Sequence, residues 1–292
     1  MKRFVPILSG LILMLSAYSY VAEGGTGVDR AEELLKQARV ALGGEANLRA
    51  IQSLSVSGRL RRVTQARDQS GEIKLDFLLP DKFKKTETMN LIAGVELTLV
   101  SVLNGDRAWK DSRSSSSNAQ VTVIGPDGGK GEQSVPPKEV RADFARNLLG
   151  LLLSPPASFP IRFNYAGVAE APDGKADVID ARGPDGFEAR LFLDKNTHRP
   201  LMLSYRGMVP RLSTMRTQSG RESVDKIVKD AQVGGNRQQA EIQIRYSDYR
   251  VVNGVMLPHR ITKTADGKTN EEWEITRFKI NPTELKPGVF NK

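Results

Sequence analysis

The 292-residue chain contains no cysteine and only two histidines, His198 and His259. The first absence excludes disulfide scaffolds, thiolate-held zinc or iron–sulfur centres, thiol nucleophiles and lipid modification on a cysteine of its own. The second excludes histidine-rich metal sites. Aromatic residues make up only 6% of the chain, so the core has to be filled by aliphatic side chains. There is no Gly-x-Ser-x-Gly, no Gly-rich loop running into a helix and no His-Glu-x-x-His. Acidic charge is in deficit, with 34 Asp+Glu against 43 Lys+Arg. The basic residues are not interleaved with aromatics, so the excess does not read as a nucleic-acid surface. No cofactor is implied.

One long apolar run is present, over residues 4–15, behind Lys2 and Arg3. It falls short of the ~20 residues needed to span a bilayer. Ala17 and Ser19 supply the small residues that a signal peptidase reads, so residues 1–19 are expected to be a cleaved signal peptide. No other segment resembles a membrane span. The expected product is an exported, periplasmic protein with a single domain over 20–292.

Val28, Ala31, Leu34, Leu35, Ala38, Ala41 and Leu42 recur at helical spacing, with Asp29, Glu32, Glu33, Lys36 and Arg39 on the other face. Gly43 and Gly44 stop this helix. A short second turn is predicted over 45–51. From Leu54 the period becomes two: Leu54, Val56 and Leu60, then Ile73, Leu75, Phe77 and Leu79, then Val95, Leu97, Leu99 and Leu103. The same alternation returns at Ile161, Phe163 and Tyr165, at Phe187, Ala189, Leu191 and Leu193, and at Ile242, Ile244 and Tyr246. Asn104-Gly105, Asp173-Gly174, Asp185-Gly186, Asn253-Gly254 and Asp266-Gly267 fall between these runs. Such pairs supply the positive φ that tight hairpins require, so the pattern predicts an antiparallel meander and not a parallel α/β sheet.

One helix interrupts the strands. Behind Pro136 and Pro137, Val140, Phe144, Leu148, Leu151 and Leu152 form a stripe, and Pro155-Pro156 ends it. A helix so apolar at its C-terminal end has to be buried, and the concave face of the sheet is the natural place. Two stretches do not read as regular structure. Residues 112–135 hold a serine run and Gly125-Pro126-Asp127-Gly128-Gly129, and are expected to form a flexible loop. Residues 206–240 form a basic insertion with seven Lys or Arg against three acidic residues. Arg211, Arg216 and Arg221 in it are candidates for contact with a lipid headgroup or an acidic partner.

Catalytic constellations are scarce. Asp194 and His198 lie close in sequence, but in a strand–turn–strand context, and His259 is remote. Paired carboxylates such as Glu271-Glu272 occupy polar strand positions that a solvated face explains.

Together with the N-terminal amphipathic helix and the meander, several short motifs carry a resemblance: Pro-Asp-Lys-Phe at 80–83, Asn-Gly-Asp-Arg-Ala-Trp at 104–109 and Phe-Glu-Ala-Arg-Leu-Phe-Leu-Asp at 187–194. Tyr-Ser-Asp-Tyr-Arg at 246–250, Leu-Pro-His-Arg at 257–260 and Pro-Gly-Val-Phe at 287–290 complete it. The chain resembles the outer-membrane lipoprotein-sorting family, the LolA-like periplasmic carriers. That resemblance implies an α+β fold, mainly antiparallel, in which an incomplete (half) β-barrel wraps a helical lid. It also implies an apolar cavity for acyl chains, with lipid or lipidated protein as ligand and inner- and outer-membrane envelope proteins as partners. Candidate cavity residues are Ile73, Leu75, Phe77, Leu97, Leu99, Trp109, Phe144, Leu148 and Leu151. Two features depart from the compact members: Leu79 precedes Pro80 where a basic residue is expected, and the 206–240 insertion is extra. Three readings stand: a non-enzymatic acyl-chain carrier, an interaction or sensory module working through the insertion, and a hydrolase using Asp194 and His198.

Overall fold

The computed structural model describes residues 26–63, 68–90, 95–115, 133–171, 174–208 and 239–291. The expected signal peptide at residues 1–19, most of the 112–135 and 206–240 stretches, and Arg211, Arg216 and Arg221 lie outside the described residues.

Helix α1 (Gly27–Ala41) begins where Thr26 caps it. The Thr26 hydroxyl accepts from the Asp29 amide at 3.3 Å, and the Asp29 carboxylate accepts from the Thr26 amide in return. Two otherwise orphaned N–H groups are thereby satisfied. Ala31, Leu34, Leu35 and Ala38 form its buried stripe, as the spacing predicts. Helix α2 (Glu45–Arg49) follows after one turn.

The strands form a single sheet. The first group is β1 (Ser53–Val63), β2 (Asp68–Leu78), β3 (Lys82–Asn90), β4 (Glu96–Asn104), β5 (Arg107–Ser114) and β6 (Gln133–Ser134). Helix α3 (Pro137–Leu152) comes next. The second group is β7 (Arg162–Ala171), β8 (Gly174–Arg182), β9 (Glu188–Asp194), β10 (Pro200–Met208), β11 (Gln239–Val252), β12 (Val255–Ala265) and β13 (Lys268–Ile280). The spatial order is β6-β5-β4-β3-β2-β1-β13-β12-β11-β10-β9-β8-β7, and every pairing is antiparallel.

The hairpin signals explain this order. Asn253 and Gly254 both take positive φ, as do Asp266 and Gly267, so each pair makes the tight turn whose twist suits flanking strands. Two meanders are joined only where β1 pairs with β13, and the free edges are β6 and β7. The sheet is therefore open. Because α3 links those two edges in sequence, the chain has to cross one face of the sheet to get from β6 to β7. The helix packs there against β4, β5 and β10.

That covered face, called inner below, holds the main core. Leu54, Val56 and Leu60 of β1, Phe83 of β3, Leu191 of β9 and Leu203 of β10 are buried there in one cluster with α3. The Phe144 ring stacks at 5.7 Å on Phe83 and at 6.1 Å on Phe77. On the outer face, Val102, Trp109, Leu285 and Phe290 form a smaller cluster under the C-terminal segment.

The structure extends regular pairing into two stretches expected to be irregular. β5 runs through Ser114 and pairs with β4 to its end, while β10 continues to Met208 and β11 starts at Gln239. Backbone pairing with a neighbour that is already ordered overrides weak local composition at these ends.

Candidate functional site

The inner face has two chemically different ends. At the apolar end Phe77 of β2, Phe83 of β3 and Phe144 of α3 pack together. Further along, Leu75 and Ile73 of β2 lie opposite Lys85 and Glu87 of β3, and with Leu97 of β4 and Leu148 and Leu151 of α3 they are buried in the same main cluster. Leu99 is half-buried against it. Trp109 is not brought to this group. It pairs with Val102 across the β4–β5 ladder, and side chains alternate between faces along a strand, so its ring lies outside with Leu285 and Phe290. There it borders a surface hollow of about 510 Å³ together with Asn104, Arg107 and Asn291.

Gly150 explains how closely α3 is seated. A Cβ on this residue would come within 1.9 Å of the Tyr246 hydroxyl of β11. Only glycine allows this approach. Burial keeps the Tyr246 phenol neutral, pushing its pKa well above the usual phenolic value.

The other end is a chain of ion pairs that runs from β3 through β1 and β13 to β12. Lys85 of β3 reaches Glu87 at 2.8 Å, and Glu87 lies 3.4 Å from Arg62 of β1. Arg62 also holds Glu271 of β13 at 2.8 Å and donates to the Met89 sulfur at 2.8 Å. Glu271 then lies 3.4 Å from Lys263 of β12 and accepts from the Trp273 indole at 3.1 Å. The Lys263 ammonium sits 4.0 Å above the Trp273 ring. Helix α3 adds Asp143 and Arg146, 3.3 Å apart, with the Arg146 guanidinium 3.8 Å over the Tyr205 ring of β10.

Burial and charge compete in this group. For Glu271 burial opposes ionisation, but Lys263, Arg62 and Lys85 outweigh it and hold the carboxyl well below the usual range. Burial likewise opposes charging of Lys85, yet Glu87, Glu271 and Asp143 push its pKa up. Lys263 goes the other way: burial prevails over its carboxylate neighbours and lowers it. Tyr205 is pushed up to about 12, by burial first and then by Asp143.

The sequence pattern assigned Glu271 to a solvated face, and the structure corrects this. Its residue is 8% exposed, whereas Glu272 next to it points out and pairs with Arg61 at 2.7 Å. The strand alternation separates the two carboxylates. Arg62, Lys85, Glu87, Arg146 and Lys263 likewise carry no motif in the sequence that marks them as a group. A signal existed in β3, where Phe83, Lys85, Glu87 and Met89 share one face, so that charge sits between two buried apolar positions.

Asp194 and His198 form no catalytic pair. The Asp194 carboxylate accepts from the Thr197 amide at 2.6 Å, the Thr197 hydroxyl at 2.8 Å and the Asn196 amide at 3.1 Å. These bonds are committed to closing its own turn, in which His198 takes positive φ. His259 stacks edge-on against Phe278 at 5.1 Å. Among the described residues no three His, Asp or Glu side chains are grouped to hold a metal ion. No described helix is long and apolar enough to cross a membrane.

The fold and this inner face define an open antiparallel sheet wrapped by sequence order around one crossing helix. Solved structures similar to this chain include a LolA superfamily protein from Nitrosomonas europaea, 11% identical, with a TM-score of 0.48, covering 90% of this chain and 97% of that one. A DUF1329 family protein from Desulfovibrio piger is 8% identical, also at 0.48, with 91% and 98% covered. No protein-family model matches the chain, and no curated protein sequence does.

Proposed function

We propose that this protein is a non-enzymatic periplasmic binder or carrier of acyl chains, of a lipid or a lipidated protein. The chains would occupy the part of the inner face that the apolar stripe of α3 now covers. The observation that carries this reading is the seating of α3. Phe144, Leu148 and Leu151 are buried in one cluster with Ile73, Leu75, Phe77 and Leu97, the Phe144 ring stacks on Phe77, and α3 crosses between the two free edges of an open sheet. Apolar burial is non-directional, so an acyl chain can substitute for a helix stripe at about 0.8 kcal/mol per methylene. The polar contacts that tie α3 to the β4–β5 hairpin are at its N-terminal end: Lys110 to Glu139 at 3.2 Å, and Arg141 to Asp106 at 3.0 Å. Partly exposed pairs of this kind hold by only ~0.2–1 kcal/mol. The leader-like segment at 1–19 supports export, and a soluble shelter is what an acylated molecule needs in an aqueous compartment.

The test is titration of delipidated mature chain with a fluorescent fatty acid and with a diacylated lipopeptide. Saturable uptake is expected, weakened at least tenfold by Leu99→Glu, which places a charge on the half-buried margin of the face. Absence of saturable uptake by folded protein would overturn the reading. Capture of an envelope protein that depends on Arg211, Arg216 and Arg221, without lipid uptake, would favour an interaction module instead.

A further inference from the structure

The charged end of the inner face is not neutral. On the sheet, the three cations Arg62, Lys85 and Lys263 share the two carboxylates Glu87 and Glu271. The helix contributes one of each sign, Asp143 and Arg146, paired with each other. Among the described residues this group therefore carries one positive charge in excess, with Arg62, Lys85, Lys263 and Arg146 each largely buried and Asp143 half exposed. An uncompensated buried cation is costly, and such groups are normally paired.

Two further features bear on how that excess charge is met. Lys263 has the poorest carboxylate contact of the three sheet cations, because Glu271 already serves Arg62 and the Trp273 indole. The Arg146 Nε hydrogen is a buried donor with no hydrogen-bond partner. Native structures rarely leave such a donor unused, and here it sits on the element that covers the inner face. Arg146 stacks on Tyr205, and both Lys85 and Glu271 exert their charge on that same tyrosine, so the helix and sheet groups share one locality.

We infer that this group receives the anionic headgroup, carboxylate or phosphate, of an amphiphile whose acyl chain lies along the apolar end of the same face, with Lys263, Lys85 and Arg146 as the headgroup contacts. This rests on the acyl-chain reading above and adds to it a ligand charge and polarity. Lys263 and Arg146 supply donors that lack a full partner. Glu87 and Glu271 keep Arg62 and Lys85 in place, and by their charge they limit the site to one anionic group.

The test compares probes of equal chain length and different heads: dodecanoate, dodecyl phosphate, methyl dodecanoate and dodecyltrimethylammonium. Trp273 lies against Lys263, so its fluorescence in a Trp109→Phe background reports the headgroup end, and calorimetry reports binding independently. Dodecanoate and dodecyl phosphate should bind at least tenfold more tightly than the methyl ester. Lys263→Met should bring that ratio towards one. Arg146→Met should do the same from the helix side, which guards against one variant that fails to fold. Acetate and inorganic phosphate alone should bind at least a hundredfold more weakly than the amphiphiles. Equal affinity for acid and ester, or preference for the cationic probe, would overturn the headgroup site while leaving acyl-chain binding in place. Binding of the small anions as tight as that of the amphiphiles would also overturn it. Binding of none of the four chains would instead overturn the acyl-chain reading.

Discussion

The two ends of the inner face lie under the same helix and on the same sheet, yet they are held by different physics. At the apolar end Phe77, Phe83 and Phe144 interlock, and their attraction depends on area removed from water more than on direction. At the charged end Arg62, Glu87, Glu271 and Lys263 depend on geometry, since each loses its hydration and regains it only from a well-placed neighbour. The difference teaches which end can change occupant. Apolar contacts can be exchanged for those of another apolar body. The charged end tolerates only what matches its sign and donor pattern.

The comparison can be broken most severely at the aromatic trio. Phe144→Ala should destabilise the fold by about 4 kcal/mol, the usual cost of emptying a buried phenylalanine site, read as a lowered midpoint in urea. If the site stays open, added dodecanoate should restore part of the loss, because a ligand that binds only the folded state raises its apparent stability.

At the charged end, Glu271→Leu should cost about 3 kcal/mol, because Arg62 and Lys263 lose their shared carboxylate. Glu271 also sets an acid response. Its folded-state pKa lies below the ordinary 4.5, so the stability it confers is present above pH 4.5 and is lost as pH falls below that value. Unfolding followed from pH 6 to pH 3 should therefore be steeper for the native chain than for Glu271→Gln. A change confined to the apolar end should leave that slope unaltered.

Gly150→Ala sharpens the contrast by loosening the seat of α3 without removing apolar surface. The new methyl group meets Tyr246, so the docked helix should lose about 1–2 kcal/mol. The helix itself gains intrinsic propensity, by roughly 1 kcal/mol. Lower stability together with tighter acyl-chain binding is the expected pair of results, measured by denaturation and by titration. Tighter packing or unchanged binding would show that the helix does not compete with the ligand. The smallest effect is expected on the outer face. Arg59→Ala removes an ion pair to Glu274 between two exposed side chains and should change stability by no more than ~0.5 kcal/mol.

Much of the architecture could be read before any coordinates. The period of two through Leu54, Val56 and Leu60 and through Ile73, Leu75 and Phe77 marks strands whose apolar positions all fall on the covered face. Asn253-Gly254 and Asp266-Gly267 mark hairpins that the backbone forms with positive φ. The stripe of α3 marks a helix that has to be covered on one side, and eight of the nine candidate cavity residues lie in or against one cluster with it. Trp109 was misplaced because an aromatic in a hairpin motif does not reveal which face it takes; the register opposite Val102 settles that.

The charged end was illegible for a related reason. Arg62, Lys85, Glu87, Lys263 and Glu271 are scattered over four strands, and each in its own segment looks like an ordinary polar position. Charge in a strand is usually solvated, so local composition favours the outside. What overturns that expectation is company: β3, β1, β13 and β12 bring the five side chains within ion-pairing distance.

By itself, then, the sequence determined the elements, their antiparallel manner of pairing and the apolar faces, because hydrophobic period, turn residues and helix caps act over a few residues. It also determined what chemistry was absent, through the missing cysteines and the two isolated histidines. Only the tertiary structure decided that β1 pairs with β13, that α3 therefore crosses the face between two free edges, and that five scattered charges meet beneath it. Those outcomes depend on contacts between residues more than two hundred positions apart, such as Arg62 and Glu271, and no local pattern records such distances.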